Sequence, residues 1–391
     1  MKGRLERLAN YSELHSLVLQ GATRLSALAL PLLTVIGVRY FAPEALELTF
    51  FRTLTDTALL VATVKLGVDV YLPSCETTGN KVVVSSGYRT AYALVISTLF
   101  FSAIALYFVD RTWQVALAAA AVLCSLAIAE AGRLKGRFTT FYFLKAPSLY
   151  IGVLAVCLVG FSGLPVIVTA FCVVVAVAFA AWRRFETRKA EIEAASLAVG
   201  AVVSLLVVVF GWKEAAASRY FFAGDQLAEL VMYSRFSLIL TFPFMLRNAR
   251  VPLVMRASPD PKSSEAIYQA TRSGCKTNLL WAISTGALLS LYALIAEPEN
   301  AAGVVALMCG SCVVVAFGNM NACLVFLRDY RALVQAHLVA IGIFLLALTA
   351  IEFVLDDERF LSVALASFAA QLTLGLRLRI ALTNWQNTEA T

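Results

Sequence analysis

The feature of this chain that most limits its possible folds is a succession of apolar runs, each long enough to cross a membrane, joined by short polar connections. A crossing needs about 20 apolar residues, and in lipid such a run must satisfy its own backbone hydrogen bonds as a helix. Only 15% of the 391 residues are charged, whereas soluble domains have about a quarter. We therefore predict an all-α, polytopic membrane protein with about 12 transmembrane helices in two pseudo-symmetric six-helix lobes. The predicted spans cover residues 17–38, 50–72, 90–109, 113–132, 140–160, 164–182, 196–212, 226–249, 277–296, 301–326, 332–354 and 360–382.

The basic residues are distributed unevenly between the two sides of this predicted topology. About two thirds of the 32 lysines and arginines fall in connections on the side of the N-terminus, as is typical of loops that face the cytoplasm. The opposite side has few basic residues, among them Lys213. The asymmetry predicts a multi-pass protein of the cytoplasmic (inner) membrane with both termini in the cytoplasm. It also argues against nucleic acid as a partner, because the net charge of +7 comes from scattered short loops.

An internal repeat divides the chain near its midpoint. The junction of spans 1 and 2 reads RYFAPEALELTFFR, and the junction of spans 7 and 8 reads RYFFAGDQLAELVMYSR. Both copies enter from the same side, so the halves are predicted to be parallel repeats with a site between them. The predicted domains are an amphipathic, interfacial segment (1–16), an N-lobe (17–182), a basic cytoplasmic linker (183–195) and a C-lobe (196–391).

Charged residues inside the predicted spans mark the candidate site, because each costs about 2.5–3.5 kcal/mol to insert. In span 2, Arg52 and Asp56 are four residues apart, and so are Lys65 and Asp69, so each pair can meet on one helical face. One interpretation is that these are neutralising pairs that help the helix insert. The other is that the pairs open when an anionic substrate competes for the cation.

Other intramembrane bases have no acid one helical turn away. Arg24 in span 1 and Arg235 in span 8 lack such a partner; Lys145 also lacks one, but lies close enough to the inner surface to extend towards it. Glu130 is predicted to pair with Arg133 or Arg137. A cleft lined with arginine suits a phosphate group, which guanidinium binds through two hydrogen bonds. The predicted substrate-binding residues are Arg24, Arg52, Asp56, Lys65, Asp69, Arg219 and Arg235.

The sequence gives weaker evidence on ion coupling, metal sites and cofactors. Asp56, Asp69 and Asp225 are candidates for coupling to an ion gradient. The Cys309–Cys312 pair lies in an apolar run without a histidine nearby, so we predict no metal site and no cofactor.

The order of motifs resembles the lipid-linked oligosaccharide flippases, the Wzx-like O-antigen and polysaccharide exporters of the superfamily that also contains the multidrug and toxin extruders. The resemblance rests on Arg39-Tyr40-Phe41-Ala42-Pro43-Glu44, on Gly67-Val68-Asp69 at the end of span 2, on Tyr233, and on Pro252 in FPFMLRNARVPLVMR. The chain departs from the family pattern by lacking a glycine after Glu44 and by having Pro73-Ser74 in place of a basic residue.

The resemblance implies a two-lobed transporter whose central cleft is lined by spans 1, 2, 7 and 8. It implies that the cargo is a polyprenyl-diphosphate-linked oligosaccharide, moved across the membrane by alternating access for surface polysaccharide synthesis. Partners would be membrane lipids and the polysaccharide polymerase and assembly machinery.

Three alternatives remain at this point. A multidrug or organic-ion extruder of the same superfamily would favour unpaired acids in the cleft, whereas the unpaired groups here are basic. A membrane enzyme of polysaccharide assembly needs an outer loop large enough for an acceptor site, and the outer connections are short, so we expect no enzyme. A major-facilitator sugar carrier would have a glycine-rich basic loop after span 2, where SCETTGNKVVVSSGYR stands instead.

Overall fold

The computed structural model describes most of the chain. The described residues are 2–64, 68–72, 75, 77–78, 81–109, 113–145, 164–187, 194–214, 216–217, 230, 232–234, 236–237, 239–258, 260, 263–272, 275–354 and 359–389. In the first half the helices are α1 (Lys2–Phe41), α2 (Glu44–Val64), α3 (Val68–Tyr71), α4 (Ser86–Phe108), α5 (Trp113–Arg133), α6 (Phe138–Lys145) and α7 (Leu164–Trp182). In the second half they are α8 (Ala194–Gly211), α9 (Phe242–Asn248), α10 (Val251–Ala257), α11 (Ser264–Arg272), α12 (Cys275–Ala296), α13 (Ala301–Phe317), α14 (Met320–Leu327), α15 (Tyr330–Val354) and α16 (Arg359–Glu389).

The helices confirm an all-α, polytopic membrane fold. Within the described residues, five helices are long and apolar enough to cross a membrane, and α13 with α14 would make a sixth as a span bent by 48°. Most helix bounds lie within a few residues of the predicted spans, because the apolar runs set both the position and the length of the helices. Most of the predicted span 140–160 and a smaller part of the predicted span 226–249 lie outside the described residues.

The first helix joins two segments that the sequence separates. Helix α1 runs without interruption for 40 residues, from Lys2 to Phe41. It therefore includes both the predicted interfacial segment 1–16 and span 1. Because the helix is continuous, its amphipathic start and span 1 run in the same direction.

The N-terminal half is built around α5. Its alanines at Ala116 and from Ala118 to Ala121 are almost completely buried, and α5 packs against α2, α4, α6 and α7. Small side chains let several helix backbones approach one axis, which is how membrane helices associate without a hydrophobic driving force between them.

The C-terminal half is organised around α16, which packs against α13, α14 and α15. A side chain at Gly310 on α13 would collide with the amide of Gln371 on α16. The glycine thus lets the two helices come close enough to bury a polar side chain between them. The large apolar clusters do not mix the two halves: one contains residues from Val61 to Phe185, and two others contain residues from Val203 onward.

A small sheet, which the sequence analysis did not predict, joins the connection after span 2 to the connection after span 6. Strand β1 (Thr77–Thr78) is antiparallel to β2 (Lys81–Val84), and β2 is parallel to β3 (Phe185–Thr187), with Val82 opposite Phe185. Phe185 lies edge-on to the Tyr92 ring, 5.1 Å between ring centroids. Part of the segment predicted as a linker (183–195) is therefore a strand attached to the N-terminal half.

The basic connections meet on one side of the molecule, which we call the basic side. The sheet links two of them, and α11 and α14 pack together where two others lie. Partial burial and the positive charges of Arg137 and Arg184 lower the pKa of Lys135. Loops that are far apart in the sequence are therefore close enough to repel one another electrostatically.

Candidate functional site: a basic seam between the two halves

On the basic side, α1 and α6 of the first half contact the α9–α10 turn of the second. We call this contact the basic seam and define it by Gln20, Arg24, Tyr142, Met245 and Arg250. The Tyr142 hydroxyl donates a hydrogen bond across the seam to the Leu246 carbonyl oxygen at 3.1 Å. Ala249 of the second half belongs to an apolar cluster with Phe138, Phe141 and Tyr142 of the first. The seam is thus an apolar contact with a polar rim.

Arg24 lies in the predicted span 1, on α1, and is partly buried in the seam. Its Nη2 donates to the Met245 sulfur at 2.9 Å, and its guanidinium lies 5.7 Å from the centre of the Tyr142 ring. Its buried Nε has no hydrogen-bond partner among the described residues. Because a thioether is a weak acceptor, this arginine is poorly satisfied.

Arg250 contributes a second guanidinium from the opposite half. Its Nη2 donates to Gln20 Oε1 at 2.7 Å, and the group lies 5.3 Å from the centre of the Phe138 ring. Its buried Nε, like that of Arg24, has no partner among the described residues. The sequence analysis counted Arg250 only as a loop charge and missed this role, since no local pattern connects it to a residue 230 positions earlier.

A third arginine lies next to the seam and is balanced by Glu130. Arg133 Nη2 is 2.6 Å from Glu130 Oε2, in an ion pair whose angles do not meet hydrogen-bond geometry, and Lys145 Nζ is 3.4 Å from Oε1. This confirms the predicted pair with Arg133, and it gives Lys145, which has no acid one helical turn away, a partner on another helix. The acid is 15 residues before Lys145 and reaches it because α5 and α6 pack together.

The aromatic rings of α6 bring these arginines close to one another. Arg24 lies against Tyr142, whereas Arg250 and Arg133 lie against Phe138 and Phe141, the two rings that pack against Tyr142. None of the residues that define the seam is acidic, and the nearby carboxylate of Glu130 is shared by two cations. The described part of the seam is therefore a cationic site beside an aromatic ring, which suits an oxyanion with an apolar portion.

The other predicted site residues are placed as follows. Arg52 and Asp56 lie on α2, with Arg52 exposed and Asp56 partly buried, and no salt bridge joins them despite their spacing. For Asp69 only the backbone, in α3, is described. Lys65, Arg219, Asp225 and Arg235 lie outside the described residues.

A second buried charge cluster, which the sequence analysis missed, lies inside the C-terminal half. Lys213 Nζ is 2.6 Å from Glu214 Oε1, and the same oxygen accepts a hydrogen bond from Ser367 on α16. Gln371 donates to Ser367 at 3.5 Å, and Lys213 lies 4.3 Å from the centre of the Phe210 ring. The sequence places Lys213 in an outer connection and gives no sign of its burial, whereas the structure shows the residue buried just beyond α8.

Comparison with known proteins identifies the fold. No family model and no curated protein matches the sequence. Solved structures do match. The MATE multidrug transporter DinF-BH, in complex with a ligand, has a TM-score of 0.67 at 14% identity, over 95% of each chain. A MATE structure in the straight conformation has 0.61 at 13%, over 94% of each. A MOP superfamily transporter from Pyrococcus furiosus has 0.59 at 12%, over 94% of each. The chain thus has the fold of the MATE transporters over nearly its whole length.

Proposed function

We propose that this protein is a transporter that moves polyprenyl-diphosphate-linked oligosaccharide units across the cytoplasmic membrane. The observation that carries the proposal is the grouping of three guanidinium groups against neighbouring rings of α6: Arg24 lies over Tyr142, Arg250 over Phe138 and Arg133 over Phe141, each 5.2–5.7 Å from the ring centre. A diphosphate presents the geometry that guanidinium groups bind most strongly.

The fold supports transport as the general activity. The solved proteins with this fold are transporters that match this chain almost end to end. The Pyrococcus furiosus protein is described as having a binding pocket of reverse polarity that suggests a different function. The same reasoning favours an anionic cargo for a chain whose seam is basic.

The seam contacts also suggest how an anion would change the contact between the halves. Arg24 is held by a thioether and Arg250 by one amide oxygen. Phosphate oxygens are stronger acceptors than either, so an arriving diphosphate would replace both contacts at a net gain. Each replacement removes one link between α1 and the α9–α10 region, and access from the basic side would open as the cargo binds.

The remaining assignments follow as parts of this proposal. Arg52, Lys65, Arg219 and Arg235 would continue the cationic path, and Asp56, Asp69 or Asp225 would couple the cycle to an ion gradient. The termini would lie in the cytoplasm, with the polymerase and assembly machinery as neighbours.

A multidrug extruder is the second candidate, because the multidrug transporter DinF-BH has this fold. An organic cation would need an accessible acid in the transport path. Glu130 is fully buried and held by two cations, so within the described residues near the seam it does not offer one.

The test is a deletion strain in which lipid-linked sugars and surface polysaccharide are both measured. We expect the lipid-linked unit to accumulate and the surface polymer to be lost, with rescue by the wild type but not by Arg24→Ala. Arg183→Ala is the control, because it removes an exposed basic-side arginine whose guanidinium lies over the Phe179 ring, away from the seam. Normal polymer without an accumulated intermediate would overturn the proposal. Loss of resistance to cationic dyes in the same strain would then favour the extruder.

A further inference from the structure

A cavity of about 420 Å³ and a larger one of about 810 Å³ open on the basic side of the C-terminal half. The larger lies between α9–α10 and α11, and we call it the arginine pocket after Arg247, Arg250 and Arg272, which line it. None of the described residues that line it is acidic, whereas Asp329 lines the smaller cavity next to Arg331 and Arg377. Of these two cavities, the arginine pocket therefore has the larger excess of positive charge among its described lining residues.

The three guanidinium groups are held in different ways. Arg250 is fixed by Gln20 and keeps its unpartnered Nε. Arg272 lies 5.9 Å from the centre of the Tyr268 ring. Within the described part of the chain, Arg247, Arg250 and Arg272 form no salt bridge with an acid. Their charges are available to an anion from outside the protein.

Asn319 provides a polar back wall to the pocket. The residue is only 2% exposed; its Nδ2 donates to the Ala270 carbonyl oxygen at 3.3 Å, and its Oδ1 has no hydrogen-bond partner among the described residues. A buried amide oxygen without a hydrogen bond destabilises the fold, so it is expected where a ligand or water supplies the donor. A protonated phosphate oxygen is such a donor.

The break between α13 and α14 places Asn319 there. Gly318 has a φ of 73° and a ψ of −160°, and an added Cβ would lie 2.6 Å from the Thr271 carbonyl oxygen. Only glycine tolerates both the conformation and the close approach. The conformation of Gly318 therefore fixes the position of the back wall.

The rim of the pocket is apolar and faces outward. Tyr268 is 60% exposed and Val254 is 45% exposed, and both line the opening. Helix α11 buries Ala266, Ile267 and Ala270 and exposes its other face, as an amphipathic helix at a membrane interface does. A ligand bound here would place a charged group on the arginines and an apolar portion along the rim.

We infer that the arginine pocket binds the phosphate group of a membrane lipid on the basic side. The chemistry is a phosphate ester, which a lipid or a soluble phosphate could supply, and the exposed apolar rim favours the lipid. The site is separate from the seam but shares Arg250 with it. Bound phosphate would compete with Gln20 for that guanidinium and so loosen the seam.

The experiment measures binding to the full chain purified in detergent, by native mass spectrometry and by thermal shift. The probes are dioctanoyl phosphatidic acid, dioctanoylglycerol, inorganic phosphate and inorganic diphosphate. We expect phosphatidic acid to bind, dioctanoylglycerol not to bind, and Arg247→Gln with Arg272→Gln to weaken phosphatidic acid binding by roughly tenfold or more. The matched control is Arg331→Gln with Arg377→Gln, which removes the same charge from the cavity that contains Asp329 and should leave the affinity unchanged.

The outcomes separate the sources of phosphate. Tighter binding of phosphatidic acid than of either inorganic anion supports the lipid site, and equal binding assigns a soluble phosphate and overturns the lipid source. Equal binding of phosphatidic acid and dioctanoylglycerol, or an unchanged affinity in a folded Arg247→Gln, Arg272→Gln variant, would overturn the inference. The readout is binding alone and leaves Arg24 in place, so it stands or fails independently of glycan export.

Discussion

The two halves of the molecule bury a carboxylate in different settings. In the first half, Glu130 is bound by Arg133 and Lys145 at the edge of the basic seam, and the Lys145 side chain is 36% exposed. In the second half, Glu214 is bound by Lys213 and Ser367 inside a packed cluster with Phe210 and Phe344. The first carboxylate has one partner, Lys145, that water can reach, so this contact can be exchanged without unpacking the helices. The second has partners that are themselves buried, and Ser367 can leave it only if α16 unpacks.

The comparison suggests a division of tasks. In the proposed transport cycle, a charge pair at a contact that moves has to be replaceable, because each state needs other partners for the same groups. The Lys213–Glu214 pair lies just after α8, and the hydrogen bond from Ser367 to Glu214 joins it to α16; this bond and the ring of Phe210 offset the cost of burying the pair. We therefore expect Glu214 to matter most for folding and Glu130 to matter more for the cycle.

The largest expected effect is that of Glu214→Ala. Removing the acid leaves the buried ammonium of Lys213 without a partner, which costs about 3–5 kcal/mol for a buried pair broken on one side. We expect low yield of folded protein and a much lower melting temperature in detergent, measured by fluorescence-detected size-exclusion chromatography after heating. Lys213→Met with Glu214→Gln is the control, because it removes the charge of both partners and should recover much of the loss. An equally unstable double variant would show that packing, rather than charge, is responsible.

A smaller loss is expected for Gly318→Ala, which also concerns the second half. The variant needs a backbone conformation that is open almost only to glycine, at a cost of about 1–3 kcal/mol, and its methyl group would meet the Thr271 carbonyl oxygen. The same heating assay should report a lower melting temperature. Gly342→Ala on α15 is the matched control, since nothing lies within 4 Å of its added Cβ. A Gly318→Ala variant as stable as the control would show that the break can relax.

How far the sequence predicts this structure depends on whether a residue's partner is near it in the chain. Helix bounds and the Glu130–Arg133 pair follow from local patterns, namely apolar runs and a spacing of three residues. The β2–β3 pairing joins a strand of four residues to a strand of three, and about half of the first lobe separates them in the sequence. Neither strand is long enough to show a hydrophobic periodicity that would predict it.

The seam and the buried pair show the same limit. Arg24 meets Met245 across 221 positions, and Ser367 meets Glu214 across 153. The prediction that Arg24 lies in a cationic site came from the cost of a charge in a span. Arg250 was missed because it follows α9 in what reads as a loop, and Lys213 because the apolar run ends at Gly211. A polar residue directly after an apolar run can be buried when a neighbouring helix extends beyond it.

Glu130→Gln should cost less stability than the Glu214 variant and change the seam more. Lys145 would keep contact with water and with the Phe141 ring, and the glutamine would keep an acceptor oxygen for Arg133, which also lies over that ring. We therefore expect a loss of about 1–2 kcal/mol, below the cost of leaving a buried charge wholly without a partner. The added net positive charge should strengthen diphosphate binding, measured by thermal shift with inorganic diphosphate at low salt. Glu265→Gln, an exposed acid on α11, is the control for net charge alone. If diphosphate raised the melting temperature equally in both variants, the stronger binding would come from the overall charge and not from the seam.

The smallest effect is predicted for Tyr142→Phe, which removes only the hydroxyl that donates to the Leu246 carbonyl oxygen across the seam. A single neutral hydrogen bond contributes about 0.5–1.5 kcal/mol, so the melting temperature should fall only slightly. Because the bond joins α6 of the first half to α9 of the second, its loss should weaken the contact between the halves by the same amount. Deuterium labelling of the backbone amides in the α9–α10 turn, followed by mass spectrometry, should become faster in this variant. Tyr92→Phe is the matched control: its hydroxyl donates to the Leu123 carbonyl oxygen within the first half, so its loss should lower stability without exposing the seam. If both variants left the labelling rate unchanged, the Tyr142 hydrogen bond would contribute to the packing of α6 but would not hold the two halves together.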